Sequence, residues 1–354
     1  MQELLVISGK GGTGKTSLVA ALATLAEDKV LADCDVDAAD LHLLLRPEVE
    51  SVNEFYGSSK AVLDADLCTG CGRCQEVCRF DAVITTTTNQ RPVTKTPLAS
   101  IFTVGAHAAC EQHQQRDENG EVKGFQSETG TASSYQPPAS RPLLLTSNFM
   151  VDPIACEGCG VCARICPAAA ITMKPNLAGY WYISATPYGP MVHAQLGLAE
   201  DNSGKLVTMV RQEARRLAEE NEARLIITDG PPGIGCPVIS SMTGVALALV
   251  VTEPTVAGWH DMERVVQLAN HFKVPVAVCI NKYDLAPEKS REIEDYCYEQ
   301  GLTLAGKIPF DVDVARALVN AVPLTACSRG AAARAVEALW DSLQVQLAGL
   351  RKSE

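Results

Sequence analysis

The sequence is short of cations for its acids. Thirty Lys and Arg stand against 42 Asp and Glu, a net charge of −12 and a pI near 5.1. That balance argues against a non-specific grip on DNA, where clustered Lys and Arg must neutralise phosphates, and no nucleic-acid partner is expected. Long apolar runs are also missing. No stretch approaches the roughly 20 residues of a membrane-spanning helix. The first apolar run, Leu4-Leu5-Val6-Ile7, leads straight into glycines, so neither a membrane span nor a signal peptide is expected. A basic amphipathic tail is lacking too. The last helical segment puts Val336, Leu339, Trp340, Leu343 and Leu347 on one face and carries two late cations, Arg351 and Lys352. It reads as a helix docked on the core, not a direct membrane anchor. What is abundant is cysteine, 14 in all. In a cytoplasmic protein that number points to metal or redox chemistry, not disulfides. A chain of 354 residues, 47% of them apolar, suffices for one large α/β core and a smaller module.

Residues Gly9 to Thr16 fit G-x-x-x-x-G-K-[ST], the phosphate-binding loop, between an apolar strand and the helix-compatible Ser17–Ala23. Gly9, Gly11, Gly12 and Gly14 let the backbone wrap an anion, with Lys10, Thr13 and Ser17 completing the cradle. The amides and helix N-terminus face that anion. Lys15 is expected on the β- and γ-phosphates and Thr16 on Mg²⁺. The second lysine, Lys10, makes Lys-Gly-Gly-Thr-Gly-Lys-Thr, which resembles the deviant Walker A of the MinD/ParA/nitrogenase-iron-protein class. The resemblance implies ATP as ligand and a homodimer in which Lys10 reaches the partner's nucleotide.

Two further apolar runs end in acid. Lys29–Asp37 presents Asp33, Asp35 and Asp37, with Asp40 shortly after. By position Asp35 sits near Mg²⁺ and the attacking water. Asp37 and Asp40 either orient water or cap a helix over Ala38–Leu45. Arg224–Gly233 reads as a Walker B strand delivering Asp229 to the metal, followed by a switch in which Gly230 and Gly233 let the backbone swing. Late in the chain, Asn281 is expected at the purine edge. Asn281-Lys282-Tyr283-Asp284 also fits the guanine signature N-K-x-D, leaving GTP as the alternative to ATP.

The cysteines are spaced as C-x2-C-x2-C-x3-C twice, at Cys68, Cys71, Cys74, Cys78 and at Cys156, Cys159, Cys162, Cys166. Such spacing wraps thiolates around three corners of a cubane, and Gly70, Gly72, Gly158 and Gly160 let amides approach the sulfides. Zinc is the alternative ion. The paired runs resemble a bacterial two-cluster ferredoxin, in which the fourth cysteine of each run serves the other cluster. The resemblance assigns Cys68, Cys71, Cys74 and Cys166 to one [4Fe–4S] cluster, and Cys156, Cys159, Cys162 and Cys78 to the other. Arg79 stands where that pattern has proline after the first run. Between the runs, residues 85–142 read as a long irregular polar excursion. It includes His107, Cys110 and His113 at helical spacing.

Other candidates are weaker. His193 is a possible pH-sensitive or catalytic group and Lys205 a possible phosphate contact. Cys236 stands where the nitrogenase iron protein has a bridging ligand, but it lacks a partner cysteine. Cys34, Cys279, Cys297 and Cys327 read as core or near-core thiols.

The remaining strand–helix alternation is doubly wound, mostly parallel α/β. Apart from residues 85–142, the chain resembles MinD-superfamily P-loop ATPases of the SIMIBI type that carry an inserted α+β ferredoxin-like domain. Residues 1–60 and 177–354 form the ATPase domain and 61–176 the insertion on this reading. The resemblance implies a cytoplasmic, Mg-dependent ATPase that couples ATP to two clusters for electron transfer to an unknown redox or client protein. The alternatives are a cluster-sensing or assembly ATPase, and a MinD-like positioning switch.

Overall fold

The computed structural model describes residues 1–85, 149–197, 200 and 203–351. The candidates His107, Cys110 and His113, and most of the polar excursion, lie outside them. In chain order the strands are β1 (Gln2–Ser8), β2 (Lys29–Asp33), β3 (Glu48–Tyr56), β4 (Lys60–Leu63), β5 (Val83–Thr85), β6 (Phe149–Val151), β7 (Ile171–Lys174), β8 (Leu177–Thr186), β9 (Gly189–Leu196), β10 (Leu225–Pro232), β11 (Leu247–Thr252), β12 (Val276–Asn281) and β13 (Thr303–Ile308). The helices are α1 (Lys15–Leu25), α2 (Leu41–Leu45), α3 (Arg73–Glu76), α4 (Val161–Ile165), α5 (Ser203–Glu220), α6 (Cys236–Met242), α7 (Val256–His271), α8 (Pro287–Glu299), α9 (Val312–Val319), α10 (Leu324–Cys327) and α11 (Ala331–Arg351).

Two compact units result: Met1–Lys60 with Lys174–Glu354, and Ala61–Met173. The first holds a nine-stranded sheet of order β13-β12-β11-β1-β10-β2-β9-β8-β3. From β13 to β9 every pair is parallel, whereas β8 and β3 run antiparallel to their neighbours. The parallel strands are near-continuous apolar runs because both faces are covered. On β1, Leu4 and Val6 pack towards α1, α2, α10 and α11, while Leu5 and Ile7 pack towards α6, α7 and α8. Helix α5 closes over β2, β9 and β10 through Leu206, Val207, Val210 and Ala214. Local chemistry sets the helix starts. The Thr255 hydroxyl accepts the Gly258 amide at 2.9 Å to open α7, and the Asp311 carboxylate accepts the Asp313 amide at 2.9 Å to open α9. The last helix buries Val336, Leu339, Trp340, Leu343 and Leu347 against the sheet, as its spacing predicts.

Two local readings are corrected. The helix expected from Ala38 begins at Leu41, and the Asp40 side chain makes no capping bond. Instead the Asp33 carboxylate accepts the Leu41 amide at 3.3 Å. Strand β3 was not evident in the sequence. Of its nine residues only Phe55 is buried, so it carries no apolar alternation.

The second unit contains the two-stranded sheets β4-β7 and β5-β6 and the short helices α3 and α4. Its small core joins Ala61, Ala82, Val83 and Ile171 to Cys74 and Cys156.

Candidate functional site: a phosphate loop and two thiol-lined cavities

The loop from Gly9 to Gly14 leaves the C-terminal end of β1, where the chain later moves to β10 on one side and β11 on the other. Such a switch point is where open parallel sheets take ligands. Gly14 has φ of +87°, and a Cβ there would lie 2.5 Å from the Asn281 amide nitrogen. That nitrogen donates to the Thr13 carbonyl at 2.7 Å, so Asn281 holds the loop from β12. A Cβ on Gly9 would run into Asp261, whereas Gly11 and Gly12 face open space. The Ser8 hydroxyl donates to the Lys10 carbonyl at 2.8 Å. Thr16 and Ser17, half-buried, lie in the first turn of α1.

Lys15 is buried, with its ammonium 2.5 Å from Asp229 Oδ1, 3.4 Å from Asp35 Oδ2 and 3.4 Å from Thr16 Oγ1. Burial opposes that charge, but Asp229, Asp35 and Asp33 together outweigh it and hold the lysine above its ordinary pKa. Asp33 and Asp229 are register partners across β2 and β10. Burial, then the charge of Asp229, pushes the Asp33 carboxyl well above the usual range, against the pull of Lys15. Asp33 accepts the amides of Asp35 at 3.1 Å and Leu41 at 3.3 Å, so it shapes the turn. Asp35 faces Lys15, and burial raises its carboxyl as well. Asp229 Oδ2 and Thr13 Oγ1 are buried without a hydrogen-bond partner. An orphaned carboxylate oxygen costs free energy unless a donor or a cation completes it. Its place beside Thr16 and Asp35 fits a Mg²⁺ ion.

Sequence reasoning missed one partner of this site and one buried ion pair at the other end of β1. Glu253, just past β11, takes Lys10 at 3.4 Å and Lys282 at 2.6 Å. Burial resists its ionisation, yet Lys282 and Lys10 hold the carboxyl below its ordinary value. An acid directly after an apolar strand, in Thr252-Glu253-Pro254, was the available signal. The second is Glu3 on β1. It receives Arg211 Nε at 2.7 Å and Arg215 at 2.9 Å, while Arg211 also donates to the Ser240 and Thr243 carbonyls at 2.7 and 2.9 Å. Helix α5 thereby grips the end of α6, the helix that follows Gly233. The Gly233 amide itself donates to the Ser8 carbonyl at 3.0 Å. Asp284 of the N-K-x-D stretch accepts the Phe310 amide at 2.7 Å.

In the other unit the eight motif cysteines fall around two cavities. One is walled by Cys68, Cys71, Cys74 and Cys166. The other is walled by Cys78, Cys156, Cys159 and Cys162. The runs are built alike. Gly72 and Gly160, at φ of +76° and +72°, each open a short helix that carries the third cysteine. Amides of Gly70 and Ala170 donate to the sulfurs of Cys68 and Cys166 at 3.5 and 3.3 Å, and that of Ala61 to Cys156 at 3.5 Å. Burial raises the Cys74 and Cys162 thiols. Among the described residues, no three His, Cys, Asp or Glu side chains gather closely enough to hold one metal ion.

The weaker candidates sort by burial. His193 is a buried β9 residue bonded to Ser184 at 2.9 Å and stacked on Tyr182, and burial followed by His42 brings its pKa to about 4. Lys205 donates to the Tyr56 carbonyl at 3.3 Å, away from the phosphate loop. Cys34, Cys279 and Cys297 are core thiols, but Cys327 is exposed, contrary to expectation, because it ends the short α10. Cys236 is exposed at the start of α6. No helix among the described residues is long and apolar enough to cross a membrane.

Comparison with known proteins extends these observations. The uncharacterized protein MJ0578 of Methanocaldococcus jannaschii is 27% identical over 347 residues, 97% of each chain. Among solved structures, the cell division ATPase MinD of Pyrococcus furiosus is 15% identical with a TM-score of 0.48, covering 98% of this chain and 99% of that one. The septum site-determining protein MinD of Pyrococcus horikoshii, complexed with Mg-ADP, is 16% identical with a TM-score of 0.48, covering 99% and 98%. Residues 4–324 match the CbiA family, described as the CobQ/CobB/MinD/ParA nucleotide binding domain. Since that span takes in the phosphate loop and every acid gathered around Lys15, the chain belongs to the CobQ/CobB/MinD/ParA nucleotide-binding family.

Proposed function

We propose that this chain is a cytoplasmic, Mg-dependent ATPase that works as a homodimer and couples its nucleotide state to two [4Fe–4S] clusters for electron transfer to a partner protein. The observation that carries the cluster half is the grouping of eight thiols into two sets of four, each mixing the two runs. A lone zinc ion needs thiolates about 2.3 Å from one point. Four thiols around one cavity, with no three of them close enough to share a single ion, suit a polyatomic cluster instead. On this reading residues 61–176 are a ferredoxin-like insertion. Cys68, Cys71, Cys74 and Cys166 hold one cluster, and Cys156, Cys159, Cys162 and Cys78 the other. When bound, the clusters supply one-electron redox chemistry. The chain supplies the thiolates, the amide donors and an apolar wall that includes Phe149 and Ile171 on one side and Val83 and Val151 on the other.

The nucleotide half rests on the unpartnered Asp229 oxygen and the open loop. Thr16, Asp35 and Asp229 would hold Mg²⁺, which neutralises phosphate charge. The loop amides and α1 take the phosphates. Lys15 exchanges its bond with Asp229 for the β- and γ-phosphates, and Asp35 orients the attacking water. Asn281 steadies the loop and lies towards the base. Adenine is favoured over guanine because one Asp284 oxygen is already engaged by Phe310. Lys10 leaves Glu253 to meet the second copy's nucleotide. A γ-phosphate competes with the Ser8 carbonyl for the Gly233 amide, so the switch and α6 respond to nucleotide state.

The test is EPR of anaerobically purified, dithionite-reduced protein with and without Mg-ATP and a slowly hydrolysed analogue. Two [4Fe–4S] signals whose line shape or potential moves with nucleotide are expected. Clusters indifferent to nucleotide favour a sensing or partner-docking ATPase. Absence of clusters after anaerobic reconstitution overturns the assignment.

A further inference from the structure

The two thiol-lined cavities match closely enough that their differences stand out. Each set of four has one buried cysteine (Cys74, Cys156), one exposed (Cys71, Cys159) and two of intermediate exposure. Solvent access therefore does not separate them. Charge does. Among the described residues, Arg73 is the one charged side chain on the wall of the Cys68/Cys71/Cys74/Cys166 cavity, and Glu157 the one on the wall of the other. The motif positions are equivalent: Arg73 corresponds to Val161, and Glu157 to Thr69. Other charges of the runs, Glu76, Arg79 and Arg164, are exposed and lie off both walls. Sulfur hydrogen bonding differs in the same sense. Among the described residues, Cys68 and Cys166 each accept an amide on the Arg73 side and Cys156 one on the Glu157 side, while Cys74 and Cys162 each accept the amide of the next residue.

Adding an electron makes a cluster more negative. A cation and N–H donors beside it favour the reduced form, and an anion opposes it, which is how charge and hydrogen bonding set cluster potentials. Resting on the cluster reading above, we infer that Arg73 and Glu157 make the pair directional. The site of Cys68, Cys71, Cys74 and Cys166 has the higher potential and the site of Cys78, Cys156, Cys159 and Cys162 the lower. One electron passes from the Glu157 side, which is oxidised, to the Arg73 side, which is reduced, with no proton or bond moved. Arg73 and Glu157 are positioning residues for that electron. An outside donor is thus matched to the Glu157 side and the exit to the Arg73 side.

The experiment is an EPR-monitored redox titration of the full chain, reconstituted anaerobically with iron and sulfide. Two one-electron steps are expected, with an occupancy bias of about tenfold, which is about 59 mV for a one-electron couple. Arg73→Val should lower the upper midpoint and leave the lower one, and Glu157→Thr should raise the lower and leave the upper. Arg73→Lys, which keeps the charge, should keep the wild-type separation. Both side chains are exposed, and retained iron and sulfide content reports an intact fold. Two clusters with a single midpoint, or substitutions that move neither midpoint or the opposite one, overturn the directional pair alone. A chain that takes up no iron and sulfide overturns the cluster reading beneath it.

Discussion

His193 and Asp33 sit side by side in the register of β9 and β2, yet only Asp33 reaches the nucleotide site. The histidine is enclosed by Tyr182, His42 and Ser184. Burial first, then the neighbouring His42, lowers its pKa from 6.5 to about 4. The depressed value means that folding prefers the neutral ring. The stability it contributes is present above pH 6.5 and is lost as pH falls through about 4. The size is about 3 kcal/mol. Urea denaturation at pH 7 and pH 4 should therefore show wild type losing about that much more than His193→Gln. Parallel losses in the two proteins would refute this account. The residue types near the phosphate loop were readable from sequence. Which of them bury a charge was not, because burial depends on strands far apart in the chain: Asp33 meets Asp229 across nearly two hundred intervening residues.

At the scale of elements, the ends of β1, β11 and β12 converge on one carboxylate. Glu253 joins Lys10 from the loop after β1 to Lys282 from the turn after β12. Lys10 is one-third exposed in that pair, so the contact is worth up to about 1 kcal/mol. If Lys10 must leave Glu253 to serve a second copy, Glu253→Gln favours the assembled state. Sedimentation velocity with a slowly hydrolysed ATP analogue should place half-assembly at up to about thirtyfold lower protein concentration, because a homodimer breaks two such contacts, about 2 kcal/mol together. Unchanged or weaker assembly would sink the idea that Glu253 restrains Lys10. Parallel strands and their helices were legible because buried runs and caps such as Thr255 and Asp311 leave local signals. The antiparallel edge was not. Strand β3 carries Glu48, Glu50 and Glu54 beside exposed Val49 and Val52, a pattern that pairs only because β8 lies alongside.

At the scale of the molecule, the second unit is spliced between the strand that bears Asp33 and the strand that bears Asp229. Its cysteines cross over: Cys78 lies with the later run and Cys166 with the earlier. If the two sets of thiols take clusters as proposed, Cys78→Ser in the anaerobically reconstituted protein should expose Cys156, Cys159 and Cys162 to alkylation while Cys68, Cys71 and Cys74 stay protected. Cys166→Ser should do the reverse. Peptide mass mapping reads both outcomes, and exposure of the three cysteines of the mutated run itself would disprove the crossing.

The sequence by itself determined the phosphate loop, the acid-ended strands and the two cysteine runs, since each is a contiguous segment whose spacing carries its own geometry. Tertiary structure decided the rest. The partner of Lys10, the role of Asp33 and the neutrality of His193 all depend on which distant segments fold against each other, whereas the crossing of the two cysteine runs was already implied by their resemblance to a two-cluster ferredoxin. Burial and charge pairing exist only after that packing.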